Sequence, residues 1–365
     1  MRSAAVRYLT EVLCVLVVSA CAQGAATYTV TDISPGGYFR INDNGQVVGD
    51  MMGGSTASLW EGGIVTDLGG LPGYAWCAAE GLSLSGQYMA GYVLNVDYGD
   101  GVGLLWDNGV KSQLNPLPGD AGCIVLNVND SGRVAGCSST TGTSDDQHPA
   151  YWQDGIAYAL PTLGGEYGSA LDINNSGVMV GDSMRADGRD VPCMWIDGWA
   201  IDLGILSGYN SGWSRAINES GNAAINFSSP QPGMPRYTAA LWDEGVITPI
   251  HAIGTRPSTY SYDVNELDQV VGMLCVNSST DLHAMLWDDG VTYDLNALIP
   301  ADSGWELQVA RSINDRGWIV GQGTYNGETR RFLLTPVVPA PGAIFLGMIG
   351  VAAAGLMKRL AGPRV

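Results

Sequence analysis

Histidine is scarce in this sequence, which limits the acid–base and metal-binding chemistry that its side chains could perform. The 365 residues include three histidines, His148, His251 and His283. His148 and His283 each stand four residues before a tryptophan, at the same position of a repeat, so we predict a structural role for them at the start of a strand. The sequence contains no nucleophile elbow, no Walker loop and no His-Glu-x-x-His motif. We therefore predict no catalytic residue, no cofactor and no metal ligand.

Acidic residues offer two weaker candidates for chemistry. The segment Asn95–Gly101 is rich in Asn, Asp and Gly, as calcium loops are, but Trp106 stands at the twelfth position, where an EF-hand requires a bidentate glutamate. Asp145 and Asp146 lie in a polar stretch, where a solvated charge pair is expected. Glycoside hydrolysis needs two facing carboxylates, and the sequence leaves open whether separate repeats bring such a pair together.

The cysteines do not form a disulfide framework. Beyond residue 26 there are five, an odd number at irregular spacing, and no pair has the spacing of metal ligands. They are Cys77, Cys123, Cys137, Cys193 and Cys275. Cys123 and Cys137 flank one predicted hairpin and could bridge, but we expect buried free thiols.

A repeated Trp-x-x-Gly element dominates the rest of the chain. It occurs six times, and its tryptophans are separated by 46, 46, 43, 47 and 45 residues. These tryptophans are Trp60, Trp106, Trp152, Trp195, Trp242 and Trp287. A period of about 45 residues held over six copies indicates a repeat architecture. Because each tryptophan falls on an alternating apolar strand, we predict that it packs in the core and does not stack on a ligand.

A second element, Asn-x-x-Gly or a close variant, runs in step with the first. Its asparagines are Asn42, Asn129, Asn174, Asn218, Asn265 and Asn314. A weaker copy at Leu82–Gly86 has Ser83 in place of the asparagine, which makes seven copies. The seventh pairs with Arg331–Leu334, where the tryptophan is absent. The chain therefore holds seven repeats.

Each repeat predicts four short antiparallel strands. In the repeat at 169–206 we expect strands at 169–173, 178–181, 192–195 and 199–203, joined by Asn, Asp and Gly residues that suit tight turns. Four such strands in about 45 residues are typical of a propeller blade, and seven blades lie within the usual range. We therefore predict an all-β, seven-bladed β-propeller over residues 27–336.

The two ends of the repeat region predict how the ring closes. The last repeat stops at Leu334 after its third strand, while Tyr28–Ile33 matches Gly63–Leu68, the fourth strand of the first repeat. An N-terminal strand that completes the last blade would leave no open sheet edge. An open solenoid would need no such transfer.

Strand alternation also predicts a binding surface. In an up-and-down blade both repeated turns lie on one face, and both variable connections lie on the other. The variable connections carry Tyr74, Trp76, Tyr98, Tyr167, Tyr209, Trp213, Tyr237, Tyr260, Tyr262 and Trp305. We predict that the tryptophans of this set share one face, opposite the turns at Asn44–Gly45, Ser176–Gly177 and Asp289–Gly290. Aromatic residues on loops above a rigid scaffold favour a binding surface, and packing between blades is an equal alternative.

The composition narrows the class of partner. The formal net charge is −19, which disfavours nucleic acid and anionic membrane surfaces. Only 15% of the residues are charged and 51 are glycine, as suits an all-β protein with many tight turns.

The N-terminal segment has the pattern of an export signal. Residues 1–26 combine a basic start, an apolar stretch at 12–18 and small residues that suit cleavage, as in a secretory signal peptide. Cys21 also fits a lipoprotein cleavage box, so lipidation is an alternative.

The C-terminal segment, residues 337–365, resembles the PEP-CTERM sorting signal of exported bacterial proteins. Pro339 and Pro341 flank an alanine where that family has glutamate, an apolar run follows at 343–357, and Lys358 and Arg359 close the segment. The resemblance implies that this tail crosses the inner membrane until an exosortase removes it. An ordinary C-terminal membrane anchor is the alternative.

The repeats resemble the HAF family of probable extracellular repeats, named for a His-Ala-Phe tripeptide before the Leu-Trp element. The nearest copies are His283-Ala284-Met285 and His148-Pro149-Ala150, and the resemblance covers about residues 27–335. It implies an exported repeat protein in a family without an established activity. We predict a non-enzymatic protein of the cell surface or extracellular matrix that binds exopolysaccharide or a surface protein through its aromatic rim. The alternative is an extracellular lyase or glycoside hydrolase on the same fold.

Overall fold

The computed structural model describes residues 27–337, except for 35–36, 38–39, 51–55, 96–100, 142–145, 232–233, 255–257 and 278–279. These residues form seven four-stranded antiparallel sheets, so the predicted seven-bladed propeller is confirmed. Both terminal signals, including Cys21, Pro339, Pro341, Lys358 and Arg359, lie outside the described residues. So does the apolar run at 343–357, and the described part contains no helix with the length and apolarity needed to cross a membrane.

The strands follow one another in chain order. The N-terminal strand is β1 (Tyr28–Asp32). Blade 1 holds β2 (Arg40–Ile41), β3 (Val47–Asp50), β4 (Ala57–Glu61) and β5 (Ile64–Asp67). Blade 2 holds β6 (Trp76–Leu82), β7 (Tyr88–Leu94), β8 (Gly101–Asp107) and β9 (Val110–Leu114). Blade 3 holds β10 (Gly122–Val128), β11 (Val134–Ser139), β12 (Gln147–Gln153) and β13 (Ile156–Ala159). Blade 4 holds β14 (Gly164–Ile173), β15 (Met179–Arg185), β16 (Asp190–Ile196) and β17 (Trp199–Asp202).

The remaining blades keep this order. Blade 5 holds β18 (Ser211–Ile217), β19 (Ala223–Ser228), β20 (Tyr237–Asp243) and β21 (Val246–Pro249). Blade 6 holds β22 (Thr259–Val264), β23 (Val270–Cys275), β24 (Leu282–Asp288) and β25 (Val291–Asp294), followed by a 3-10 helix at Leu295–Leu298. Blade 7 holds β26 (Trp305–Ile313), β27 (Ile319–Tyr325), β28 (Glu328–Pro336) and β1. The first strands of neighbouring blades contact one another, so they line a central channel.

The repeated asparagines shape the turns that end the first strands. The side-chain oxygen of Asn129, for example, accepts hydrogen bonds from the backbone N–H groups of Ser131 and Arg133, both at 3.1 Å. In an Asx turn of this kind, the side chain accepts backbone N–H groups at a point where the chain leaves the strand and has no strand partner. The side-chain oxygen therefore explains why asparagine stands at this position, together with the preference of asparagine for turn conformations.

The amide nitrogens of the same residues link the blades. Asn129 donates to the carbonyl of Asn174 at 3.0 Å, and the pattern continues until Asn314 donates to the carbonyl of Asn42 at 2.9 Å, across the closure of the ring. Ser83 has no amide to donate, and its hydroxyl accepts the N–H of Tyr88 within its own turn at 3.1 Å. One amide side chain thus serves its own turn and the next blade.

The repeated tryptophans fill the space between blades. Trp106, Trp152 and Trp195 are at most 1% exposed, Trp287 is 7% exposed, and the other two are half-buried. The three most buried indoles donate to backbone carbonyls beyond the last strand of the preceding blade, at 2.7–3.1 Å. Each of these indoles therefore joins two blades by packing and by one hydrogen bond.

The N-terminal strand completes the last blade, as predicted. β1 pairs antiparallel with β28 over five residues, from Tyr28 opposite Pro336 to Asp32 opposite Phe332. Tyr28 is buried in the core that joins blades 6 and 7, and Ile33 is buried in the core that joins blades 7 and 1. The strand therefore closes both a sheet and an inter-blade core.

A β-bulge recurs at the same place on six of the seven first strands. The bulge residue stands three positions before the turn asparagine or Ser83, and these residues are Glu80, Leu126, Leu171, Arg215, Tyr262 and Arg311. A bulge leaves one residue out of the ladder and re-aims its side chain. Glycines on the second strands make room: a Cβ on Gly91 would lie 2.0 Å from the carbonyl oxygen of Ala78, and one on Gly272 would lie 1.9 Å from that of Tyr260.

All five cysteines of the described residues are free thiols, and four of them are buried. Burial raises the pKa of the Cys123 thiol to about 11. A thiol with such a pKa is a poor nucleophile and a poor metal ligand near neutral pH.

A carboxyl group in blade 4 makes the stability of the fold depend on pH. Burial, and secondly the charge of Asp190, raise the pKa of Asp182 to about 7. Since the folded pKa exceeds the unfolded one, the stabilisation is complete below the unfolded pKa, near 4, and is lost as the pH rises through about 7. We expect Asp182→Asn to raise the free energy of unfolding at pH 8 by on the order of 1–3 kcal/mol and to change it little at pH 4. Urea denaturation at both pH values measures this, with Asp197→Asn on an exposed turn as the control. An equal effect at both pH values would contradict the assignment.

Candidate functional site: the loop-side mouth of the channel

The two mouths of the channel have different compositions. The turns that end the first strands meet in the asparagine ring, so these strands all run in one direction and begin at the opposite mouth. Trp76 and Trp305 are the first residues of β6 and β26, and Trp213 is the third residue of β18. All three therefore lie toward the same mouth, which we call the loop-side mouth. The mouth at the asparagine turns is the turn-side mouth.

A recess opens within the channel from the loop-side mouth. It is lined by one residue from each blade, namely Arg40 and the six bulge residues Glu80, Leu126, Leu171, Arg215, Tyr262 and Arg311. The free space between these side chains, with the open mouth included, is about 480 Å³. All seven side chains are half-buried, because each first strand turns this position away from the blade cores. We call this set the channel recess.

The floor of the channel recess is a buried ionic network. Arg40 Nη1 donates to Asp172 Oδ1 at 2.8 Å, and the other oxygen of Asp172 accepts the N–H of Ile217 at 2.9 Å. Burial acts to lower the pKa of Arg40, but the carboxylates of Asp172 and Asp263 hold that pKa above its ordinary range. Arg40 is thus charged and already paired, so it forms the base of the recess and is not a free ligand group.

The upper part of the channel recess combines two further arginines with one carboxyl group. The guanidinium of Arg311 lies 4.3 Å from the ring centre of Tyr262, and that of Arg215 lies 6.0 Å from the same ring. Burial raises the pKa of Glu80, an effect opposed by the charges of Arg215 and Arg311 and by a hydrogen bond from Tyr92. Cation–π contact of this kind stabilises an arginine that is partly removed from water.

An aromatic cluster adjoins Arg215 in the channel recess. Its rings are Trp213, Tyr237, Tyr260 and Tyr262, on blades 5 and 6, and their contacting centres are 4.8–6.2 Å apart. Trp213 stands two residues before Arg215 on β18, and Tyr260 stands two residues before Tyr262 on β22, where the two tyrosine rings are 4.8 Å apart. We call these four residues the aromatic wall. It offers flat apolar surface directly beside charged groups.

The predicted aromatic set is divided by the structure. Trp213, Tyr260 and Tyr262 come together in the aromatic wall, with Tyr237. Trp76 lies across the channel in blade 2, 5.4 Å from the ring of Tyr92. The hydroxyl of Tyr92 is 3.3 Å from a carboxyl oxygen of Glu80, which links Trp76 to the channel recess.

The other predicted residues do not join the aromatic wall. Tyr74 and Tyr209 pack against cores between blades, and Trp305 packs on Tyr325 and Phe332 within blade 7. Tyr167 is half-buried on β14, and Tyr98 lies outside the described residues. The expectation that these aromatics stand on loops is wrong for most of them, because Trp76, Tyr167, Trp213, Tyr237, Tyr260, Tyr262 and Trp305 lie within strands.

Sequence reasoning missed the charged members of the site: Arg40, Glu80, Arg215 and Arg311. A signal for three of them was present, since the residue three positions before each turn asparagine or Ser83 is the bulge residue that enters the channel. In blades 2, 5 and 7 this position holds Glu80, Arg215 and Arg311, whereas in blades 3 and 4 it holds leucine.

The other candidates for chemistry have structural surroundings. His148 Nδ1 lies 3.0 Å from Asp120 Oδ2, and His283 Nδ1 lies 2.5 Å from Asp294 Oδ2. Within the described part of the chain, no group of three or more His, Cys, Asp or Glu side chains could hold a metal ion. Most of the calcium-loop candidate and Asp145 lie outside the described residues, and Asp146 accepts hydrogen bonds from Ser139 and Thr140.

The turn-side mouth is polar, but its side chains are hydrogen-bonded to neighbouring blades. Its acidic residues accept backbone N–H groups from the preceding blade, as Asp43 does from Asp315 and Asp315 does from Glu266, both at 2.9 Å. Asn175 fills the same role between blades 3 and 4, where it accepts the N–H of Asp130 at 2.8 Å. These groups therefore close the ring, and the loop-side mouth is the better candidate for ligand binding.

Comparisons with known proteins support the fold. No family model matches the chain, and no curated protein matches its sequence. The fold is similar to the β-propeller domain of the Trilobed protease from Pyrococcus furiosus, with a TM-score of 0.52 and 9% identity over 85% of this chain and 94% of that one. It is similar to oligogalacturonate lyase in complex with manganese, with a TM-score of 0.52 and 10% identity over 86% and 97%. It is also similar to virginiamycin B lyase from Staphylococcus aureus, with a TM-score of 0.50 and 12% identity over 85% and 99%. These likenesses establish the β-propeller, a fold that serves unrelated activities.

Proposed function

We propose that this protein is an exported bacterial surface or matrix protein that binds exopolysaccharide at the loop-side mouth of its propeller. The observation that carries the proposal is the aromatic wall at the edge of the channel recess, in which three rings contact one another and the fourth, Tyr262, contacts Tyr260. Aromatic faces give sugar rings a rigid contact area at low cost in conformational entropy. Two terminal segments that resemble export and sorting signals, and repeats that resemble the HAF family, support an extracellular location.

A polysaccharide-active enzyme on this fold is the second candidate. Glu80 favours it, because burial raises the pKa of this carboxyl and a general acid needs such a shift. Hydrolysis also needs a second carboxylate facing the first. Asp172 and Asp263 are the carboxylates of the ionic network beneath the recess, and each accepts at least one backbone N–H group besides its side-chain partner. Since those two groups are held by the fold, a binding role agrees better with the geometry.

The test is a glycan-array screen of the secreted protein, with reducing-sugar release measured on every glycan that binds. We expect binding without sugar release, and we expect Trp213→Ala to weaken it at least tenfold, as for an aromatic residue at the centre of an interface. Trp199→Ala is the matched control, because Trp199 is 76% exposed on the outer strand of blade 4. Binding that survives Trp213→Ala would overturn the proposed site, and sugar release that is lost in Glu80→Gln would favour the enzyme.

A further inference from the structure

Arginine side chains adjoin the aromatic wall, although the chain as a whole is acidic. The chain has 36 Asp and Glu residues against 17 Lys and Arg residues. Three arginines nevertheless adjoin the aromatic wall: Arg215 and Arg311 at Tyr262, and Arg236, whose guanidinium lies 5.2 Å from the ring centre of Tyr237. Among the residues that line the channel recess, Glu80 is the single carboxylate.

Arg215 differs from the paired arginines of the fold. Arg40, Arg185 and Arg330 each have a carboxylate oxygen within 2.8 Å. Arg215 is half-buried in the channel recess and has no carboxylate within 4.0 Å in the part of the chain that the structure describes. A guanidinium partly removed from water is costly unless a counter-charge or hydrogen-bond acceptors reach it. The contact with Tyr262 and the longer-range attraction of Glu80 compensate only in part.

We infer that the channel recess binds the carboxylate of an acidic glycan, a chain containing uronic acid units, with Arg215 as the group that pairs with the carboxylate. This inference rests on the proposed function and narrows its ligand class. A guanidinium presents parallel N–H donors that match the two oxygens of a carboxylate. The aromatic wall begins two residues before Arg215 on the same strand, so a ring stacked on Trp213 places its carboxylate toward the guanidinium.

Other anions fit these observations less well. Nucleic acid combines flat rings with negative charge, but every nucleotide carries a charge, whereas a glycan can place single uronic acid units among neutral sugars. A net charge of −19 opposes the more densely charged polymer. An acidic peptide would satisfy Arg215 and would leave the four rings of the aromatic wall without a flat partner. A short uronic acid oligomer offers Arg215 a carboxylate and offers the aromatic wall a sugar ring. Physiological salt largely screens its repulsion by acidic residues that lie more than about 8 Å away.

Calorimetry with β-1,4-linked trimannuronate and neutral β-1,4-mannotriose tests the inference, because the two differ at the carboxylate. We expect trimannuronate to bind at least tenfold more tightly in 150 mM salt and less tightly as salt rises, since charge-assisted hydrogen bonds are screened. Arg215→Gln should lower trimannuronate affinity at least tenfold and leave mannotriose unaffected. Arg215→Lys, which keeps the charge but loses the fork of donors, should fall between. Arg189→Gln is the matched control, because Arg189 is exposed just before the third strand of blade 4 and paired with Asp187.

The possible results separate the two proposals. Equal affinity for both sugars, unaffected by Arg215→Gln but reduced by Trp213→Ala, would overturn the acidic class and leave the proposed carbohydrate function standing. Binding of triglutamate as tight as that of trimannuronate would overturn the glycan in favour of an acidic peptide. Failure of every glycan on the array and of both trisaccharides would overturn the proposed function together with the inference. If thermal denaturation shows that Arg215→Gln is unstable, the Lys variant and the salt dependence test the inference instead. Trimannuronate affinity that neither of them lowers would overturn it.

Discussion

Deletion of residues 28–33 is expected to destabilise the whole propeller and not only its last blade. These residues form β1 and the buried Ile33, so their loss exposes the edge of β28 and empties part of the core between blades 7 and 1. Both neighbouring cores lose a buried apolar side chain, since Tyr28 and Ile33 are 8% and 3% exposed. An unpaired strand edge also promotes association between molecules. We expect a fall of at least about 10 °C in the melting temperature. The deletion should remove several kcal/mol of stability, and each kcal/mol lost lowers the melting temperature by about 2–4 °C in a large domain.

A substitution on the same strand controls for chain disturbance. Thr31 is exposed on β1, so Thr31→Ala should change the melting temperature little. A synthetic peptide of residues 27–34 should restore stability to the deletion variant, since strand addition satisfies the free edge of β28. Scanning calorimetry and light scattering measure both effects. A deletion variant with an unchanged melting temperature and no association would show that β1 does not close the ring.

The architecture could be predicted because it depends on local features that repeat. Each Trp-x-x-Gly element marks one hairpin of a blade, and each asparagine element marks the other. The number of blades therefore follows from the number of repeats. Ring closure could be predicted because Leu334 ends a repeat that lacks its fourth strand. Strand lengths were less accessible: β14 begins at Gly164, five residues before the predicted start at 169, because Gly164 pairs with Arg185 across the sheet. Pairing with a long second strand overrides the weak strand preference of glycine.

The candidate site was less predictable because ring geometry assembles it. Arg40 and Asp172 are 132 residues apart, and nothing local to either residue indicates that they meet in the channel. Aromatic loop positions predicted part of the aromatic wall, but Trp305 turned into blade 7 and packs 6.1 Å from Phe332. Alternation alone cannot decide between those outcomes, since a bulge moves a side chain from one environment to another. A search at three positions before each asparagine would have found Arg215 and Arg311.

Trp152→Ala is expected to cost about 3–5 kcal/mol of unfolding free energy, the usual range for emptying a large buried aromatic site. Trp152 is fully buried in the core that joins blades 2 and 3, among Leu114, Val125 and Ala150. Its indole N–H donates to the carbonyl of Asn115 at 2.7 Å, so the substitution also leaves an acceptor of the preceding blade without this donor. These are two separate penalties, a cavity and a lost hydrogen bond.

Trp199→Ala supplies the comparison, because Trp199 lies in the next blade and is 76% exposed. Its loss should change the unfolding free energy by no more than about 0.5 kcal/mol, as for surface substitutions. Trp152→Phe keeps part of the ring and removes the donor, so it should fall between the two. Urea denaturation followed by far-UV circular dichroism measures all three, since removal of a tryptophan leaves the backbone signal usable. A cost for Trp152→Ala no larger than that for Trp199→Ala would mean that the repeated tryptophans are not the packing units that join the blades, and they would then become candidates for ligand contact.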